Sequence, residues 1–309
     1  MRKDSDDNDR RPLESFFRQV EEEPTQFTCV VEGRRDRLVI NRVFRAHGVT
    51  TAVAIQVDRL DVSGRLFPGG TVAGGNRARV MRVAELAEER LGMTNSGIVC
   101  VADLDLELLA PIERTSNLLE LTSGPSLDSL YMTVDVLDCI LHQFAELDGV
   151  DPTQVLDDIL AAGRASFAAR FADSVVRPGF AAIRPGKLCS VRDGRLVLDA
   201  DRLVTSYGDR PGFASYRSAF GAQMVETIAH DALIPTAVHG HDFVDLLRAY
   251  LIGVGMNRQL VKEDLLRRAM FACLRPEVAA KDPLLRRLLS AAVAAADDSD
   301  QGVAPPGGS

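Results

Sequence analysis

Carboxylates stand where short apolar runs of this chain end. Glu32 closes Thr28-Cys29-Val30-Val31 and is followed by Gly33, while Asp103 and Asp105 close Ile98-Val99-Cys100-Val101-Ala102. A weaker third position is Asp128, beyond Leu118-Leu119-Glu120-Leu121-Thr122. Runs of four or five β-formers read as buried strands, and residues just past the carboxyl ends of parallel strands line the crevice where open α/β sheets bind ligands. Carboxylates gathered there repel one another unless a hard divalent cation lies among them, and Mg²⁺ takes a few carboxylates while keeping its waters. The spacing therefore predicts a metal-dependent site.

The basic residues point to phosphate. Arg34, Arg35, Arg37, Arg42 and Arg45 fall in the helix expected after the first strand, and Arg77, Arg79 and Arg82 in the next one. Only four of the 36 basic residues are Lys, and forked guanidinium groups suit bidentate phosphate recognition, although a GC-rich genome favours Arg codons for its own reasons. The net charge of −8 argues against a polyanionic partner only until it is located. Six of the eight excess negative charges belong to residues 1–24 and the tail from Asp297, which leaves the body near neutral.

The elements that must position these groups alternate. A strand from Phe27 to Val31 turns at Gly33 into a helix with Leu38, Val39, Val43 and Phe44 on one face and Gly48 as its stop. A β-branched run, Val49 to Val57, follows. A loop with Gly64, Gly69, Gly70, Gly74 and Gly75 leads to Asn76 as the N-cap of a helix carrying Val80, Val83, Ala84, Ala87 and Leu91. Ile98 to Ala102 and Leu118 to Thr122 are the next strands. This order predicts an α/β fold with a parallel sheet. From about residue 136 the periodicity becomes mostly helical, with one hairpin signal at Asp193-Gly194 between Leu188 and Leu198. The expected domains are a disordered acidic tail at 1–24, an α/β domain at 25–135, a mostly helical region at 136–296 and a disordered tail at 297–309.

Five cysteines lie scattered without paired spacing, so neither a disulfide framework nor a zinc site is expected. The charged first residues and the lack of a long apolar stretch predict a cytoplasmic protein without a membrane partner. Asp36 reads as the favourable charge at a helix N-terminus, and Asp58 and Asp61 as loop residues. His239-Gly240-His241-Asp242 resembles a metal motif, yet His241 or Asp242 capping a helix from Phe243 to Leu251 accounts for it equally.

Glu32-Gly33-Arg34-Arg35-Asp36, the Gly-rich turn before the second helix, and Asp103-Leu104-Asp105 together resemble the Toprim domain, over about residues 27–135. More narrowly, Gly74-Gly75-Asn76-Arg77, Leu127-Asp128 and Val238-His239-Gly240-His241-Asp242-Phe243 resemble a Toprim-like family paired with ABC-type ATPases in bacterial phage defence, of the PARIS-effector type and distantly similar to OLD nucleases. That family more often has Lys after the paired Gly and Glu near position 128. The resemblance implies a Rossmann-like Toprim sheet and a nuclease of RNA or DNA, with Glu32, Asp103 and Asp105 as catalytic residues. Those three with Asp128 would hold Mg²⁺ or Mn²⁺, and Arg34, Arg35, Gly75 and Arg77 would bind phosphate. It also implies an ATPase partner and admits a homodimer. Two other readings stand beside it: a non-catalytic sensor subunit that keeps the acidic site to hold its partner, and a glycosyltransferase using Asp-x-Asp. No P-loop signature is present, so ATP hydrolysis of that type would come from the partner.

Overall fold

Phe27–Val31 is buried at every position, as a strand covered on both faces must be. The structure, a computed structural model, describes residues 10–63, 66, 75–92, 97–109, 115–176, 183–208, 213–230 and 237–301, with side chains described up to 297. Gly64, Gly69, Gly70 and Gly74 of the Gly-rich loop, and residues 1–9 and 302–309 of the expected tails, lie outside the described residues. In chain order the elements are β1 (Arg11–Pro12), α1 (Leu13–Glu22), β2 (Phe27–Val31), α2 (Arg34–Ala46), β3 (Ala52–Gln56), β4 (Leu60–Asp61), α3 (Gly75–Leu91), β5 (Ile98–Ala102) and β6 (Leu119–Leu121). There follow α4 (Val134–Asp138), α5 (Pro152–Val176), β7 (Cys189–Arg192), β8 (Arg195–Leu198), α6 (Ala200–Gly208), α7 (Arg217–Ile228), α8 (Gly240–Gly253), α9 (Glu263–Cys273), α10 (Pro276–Ala279) and α11 (Pro283–Gln301). The fold is α/β with a parallel sheet and many helices, as the alternation predicts.

The chain forms two units. The first comprises Met1–Asp103, Ile112–Ser123 and Pro276–Ser309. Its sheet has the order β3-β2-β5-β6, all parallel, with Val31 paired to Gln56 on one side and to Val101 on the other. Alternation along the strands sends Val30, Ile98, Cys100 and Ala102 into one core with Val80, Val83, Ala84 and Ala87 of α3 and Leu13, Phe16, Phe17 and Val20 of α1. On the opposite face Phe27 meets Phe44 of α2 edge to face, and α10 and α11 pack on α2. The sequence groups α10 and α11 with the helical region, but their apolar residues Ala279, Leu284, Leu285 and Leu288 are buried in this unit.

α1 corrects the expectation of a disordered stretch up to residue 24. Its four buried residues recur at i, i+3, i+4 and i+7, a complete helical stripe hidden in an otherwise polar segment. Cys29 and Cys100 are buried, and burial pushes both thiols up, in keeping with apolar roles in the strands.

The second unit comprises Leu104–Pro111 and Gly124–Arg275. α5 is its axis, packed against α4, α7, α8 and β8. Tyr207, Phe213 and Phe220 form a triangle of rings with centroids 4.8 to 6.3 Å apart. The β7–β8 hairpin turns at Asp193 and Gly194, both with positive φ, as the Asp-Gly pair predicts. Thr133 caps α4 by accepting the Val136 N–H. Cys139 and Cys273 form a disulfide, against the expectation of none; 134 residues separate them, a spacing with no sequence signature. Because that bond closes so long a loop, its reduction is expected to lower the unfolding free energy by up to about 5 kcal/mol on the loop-entropy account. Urea unfolding with and without dithiothreitol, with Cys139→Ser as the non-reducible control, measures it.

Candidate functional site

The sheet order decides where chemistry can gather in the first unit. The chain leaves β2 for β3 on one side and returns to β5 on the other, so the order reverses between β2 and β5. Open α/β sheets bind ligands at such a switch point, outside the carboxyl ends of the strands. Glu32 follows β2 and Asp103 follows β5, both half-buried, so the two stand on either side of it. Glu32 Oε1 accepts the Asp103 N–H at 2.8 Å, which fixes that carboxylate across the gap between the strands.

α3 is tied to both strand ends. Asn76 Nδ2 donates to the Glu32 carbonyl at 2.9 Å and Arg77 Nε to the Asp103 carbonyl at 3.0 Å. Asn76 is therefore not the N-cap its position predicts. The helix begins one residue earlier, at Gly75, whose φ of +68° suits glycine, and this leaves the Asn76 amide to reach β2. The Arg77 guanidinium is at least in part a brace for β5. At the start of α2 the Gly33 N–H donates to Asp36 Oδ2 at 2.9 Å, so Asp36, in the first turn where its charge is expected, also satisfies the backbone of the N-cap Gly33. Arg34 and Arg35 follow in the first turn. Two helices thus begin beside the carboxylate pair, and helix N-termini favour anions.

The remaining nominated carboxylates belong to the second unit. Asp105 opens a 3₁₀ turn (Asp105–Leu108) with φ +48°, a left-handed conformation that Asp tolerates, and its N–H donates to the Pro125 carbonyl at 2.8 Å. Asp128 accepts from Arg267 Nη1 at 3.0 Å. Arg267, with 4% of its side chain exposed, also donates to Glu263 through Nε and Nη2, and through Nη2 to His241 Nδ1 at 2.7 Å. Burial works against the Glu263 charge, but the Arg267 hydrogen bonds outweigh it and hold that carboxyl below its ordinary range.

α8 resolves the His-Gly-His-Asp segment. His239, not His241 or Asp242, is the N-cap: its Nδ1 accepts the His241 N–H at 3.3 Å. Asp242 is buried and takes Arg170 in a fork, with Nε at 3.0 Å and Nη2 at 2.5 Å, plus the Ser166 hydroxyl at 2.8 Å. His239 Nε2 lies 3.9 Å from Asp105 Oδ1. Burial, aided by the Arg170 charge, lowers the His239 pKa against the opposing pull of Asp242 and Asp105, which favours the neutral ring.

Gly240 is required by a close approach: a Cβ built there would lie 2.3 Å from the Asp128 Cβ. Gly240→Ala is expected to displace Asp128 and cost about 1–3 kcal/mol, the range for overpacking. Chemical denaturation measures it, and an unchanged midpoint would mean that the 3₁₀ turn carrying Asp128 (Leu127–Tyr131) yields freely.

The nominated residues thus fall into two groups, Glu32, Asp103, Arg34, Arg35, Gly75 and Arg77 in the first unit and Asp105 and Asp128 in the second. Among the described residues no three His, Cys, Asp or Glu side chains are gathered as a metal centre. The donors at the switch point are nonetheless hard carboxylate oxygens, and Mg²⁺ is usually held by one or two carboxylates together with substrate phosphates. Arg170, Glu263 and Arg267 escape the sequence reading because each is a single charged residue in a helix. No helix among the described residues is long and apolar enough to cross a membrane. No protein-family model matches the chain, and no curated protein matches it.

Proposed function

We propose that this chain is a metal-dependent endonuclease of the Toprim type, hydrolysing phosphodiester bonds of RNA or DNA. The observation that carries the reading is the Glu32–Asp103 pair at the switch point of a parallel sheet, braced by Asn76 and Arg77. Mg²⁺ or Mn²⁺, when bound to these carboxylates, would neutralise a phosphodiester oxygen and make a bound water acidic.

The side chains divide the remaining work. Glu32 accepts a proton or completes the metal shell, with its carboxylate already oriented by the Asp103 N–H. Arg34 and Arg35, at the start of α2, supply planar donors that match phosphate. The N-terminal turns of α2 and α3 add partial positive charge beside the same carboxylates. An ABC-type ATPase would act as partner and trigger, since this chain has no P-loop.

A second reading, a non-catalytic subunit, is favoured by one contact: the carboxylate that should do chemistry also satisfies a backbone N–H. Both are tested by incubating the purified chain, alone and co-expressed with a candidate ABC-type ATPase, with labelled tRNA, single-stranded RNA and duplex DNA in Mg²⁺, Mn²⁺ or EDTA. Cleavage that needs metal and is lost in Asp103→Asn supports the nuclease. Three intact substrates under every condition, with melting indifferent to metal, sink it.

A further inference from the structure

We propose that Cys139–Cys273 is a reversible redox site, a disulfide that thiol–disulfide exchange opens and closes in the folded protein, so that the end of α9 is locked or loosened. The bond joins two helical elements of the second unit. Cys139 stands where α4 passes into a π-helical stretch, Cys139–Phe144, in which the Ala145 N–H reaches five residues back to the Ile140 carbonyl at 2.8 Å. Such stretches are rare and recur at functional positions. Cys273 is the last residue of α9, two residues before the chain leaves the second unit at Arg275. Both cysteines are half-buried and stand outside the buried core, so a small thiolate meets the bond without unfolding the unit.

The other three cysteines leave this pair to cycle alone. Cys29 and Cys100 are buried in strands of the first unit, where burial pushes both thiols up. Cys189 donates its thiol to the Pro185 carbonyl at 3.4 Å, and burial, with the Asp245 charge, pushes it up to about 12. None of the three is a ready thiolate, so an opened pair recloses on itself. With glutathione as reductant, one thiolate attacks a sulfur of the bond, forms a mixed disulfide and expels the other cysteine as its thiolate. A second glutathione thiolate attacks the glutathione sulfur of that intermediate, leaves as oxidised glutathione and frees the remaining cysteine. Two electrons pass to the protein and each expelled thiolate takes up a proton; oxidised glutathione drives the reverse. Reduction leaves α9 docked, because Leu266, Arg267, Ala269 and Met270 are buried and Leu274 is buried beyond the helix. The ion pair of Arg275 with Asp135 is too exposed to replace the covalent tie.

The whole chain, without denaturant, is equilibrated in glutathione buffers from fully oxidised to fully reduced, quenched in acid, alkylated and mapped by peptide mass spectrometry. Cys139 and Cys273 should pass together and reversibly between bonded and free, with no disulfide to Cys29, Cys100 or Cys189. Hydrogen exchange of the amides from Ala269 to Arg275 should quicken about tenfold on reduction, as local opening becomes easier, while the rest of the second unit changes little. Cys139→Ser should show the faster exchange in both buffers. The thiol map and the exchange of reduced wild type need no variant, so they decide the matter even where Cys139→Ser fails to fold. Two free thiols in the oxidised buffer, a bond that yields only in urea, pairing with another cysteine, or exchange that ignores reduction would overturn the proposal.

Discussion

Replacing Asp242 with alanine is expected to destabilise the protein by about 3–5 kcal/mol, the cost of removing one partner from a buried ion pair. Only 4% of the Asp242 side chain is exposed, and it accepts three hydrogen bonds, two from Arg170 and one from Ser166. Arg170 lies on α5, with 22% of its side chain exposed, and cannot lose its charge at any accessible pH. Removing the carboxylate strands that guanidinium in a low-dielectric site and leaves the Ser166 hydroxyl without its acceptor.

The pair Asp158–Arg195 calibrates this expectation. Asp158 is also buried, though slightly less than Asp242, but 53% of the Arg195 side chain reaches solvent, so an orphaned Arg195 rehydrates easily. Asp158→Ala should therefore cost less than Asp242→Ala, although it also abandons the Leu196 N–H. Urea unfolding of both variants orders the two losses. Equal losses would mean that exposure of the surviving guanidinium does not control the cost, and a loss under about 1 kcal/mol for Asp242→Ala would show that Arg170 finds water or another acceptor.

The parts of this molecule that could be read in the sequence are those whose physics is local. β2, β5 and β6 are runs of β-formers, α2 shows its apolar face in Val39, Val43 and Phe44, and the Asp193-Gly194 turn needs only its own two residues. α1 was hidden because four apolar residues in helical register are few beside the acids and bases around them. Glu32 and Asp103 were legible as strand ends, yet the hydrogen bond joining them depends on β2 and β5 being neighbours, which the order of elements does not fix. The fates of Asp128 and Asp242 were not legible at all. Their partners Arg267 and Arg170 lie 139 and 72 residues away and differ in no local feature from the many solvated arginines of this chain. The Cys139–Cys273 disulfide escaped for the same reason.

Glu32→Gln should lower metal-dependent cleavage by about 100-fold or more while leaving stability near wild type. The second half of that expectation comes from the Asp103 N–H, which donates to Glu32 Oε1: glutamine retains a carbonyl oxygen there, so the backbone contact across the switch point survives. What it loses is the charge that accepts a proton or completes a metal shell. Glu32→Ala loses both, and the orphaned N–H should add a destabilisation of about 1–3 kcal/mol. The two variants thus distinguish the catalytic and structural uses of one side chain. In a nuclease both are inactive and only the alanine variant melts early. In a non-catalytic subunit glutamine behaves as wild type in every assay, partner response included, and alanine is merely less stable. Parallel melting curves and cleavage assays of tRNA, RNA and DNA decide between them, and a Glu32→Gln protein that cleaves at the wild-type rate would remove Glu32 from the chemistry and leave it as the acceptor that holds the start of Asp103.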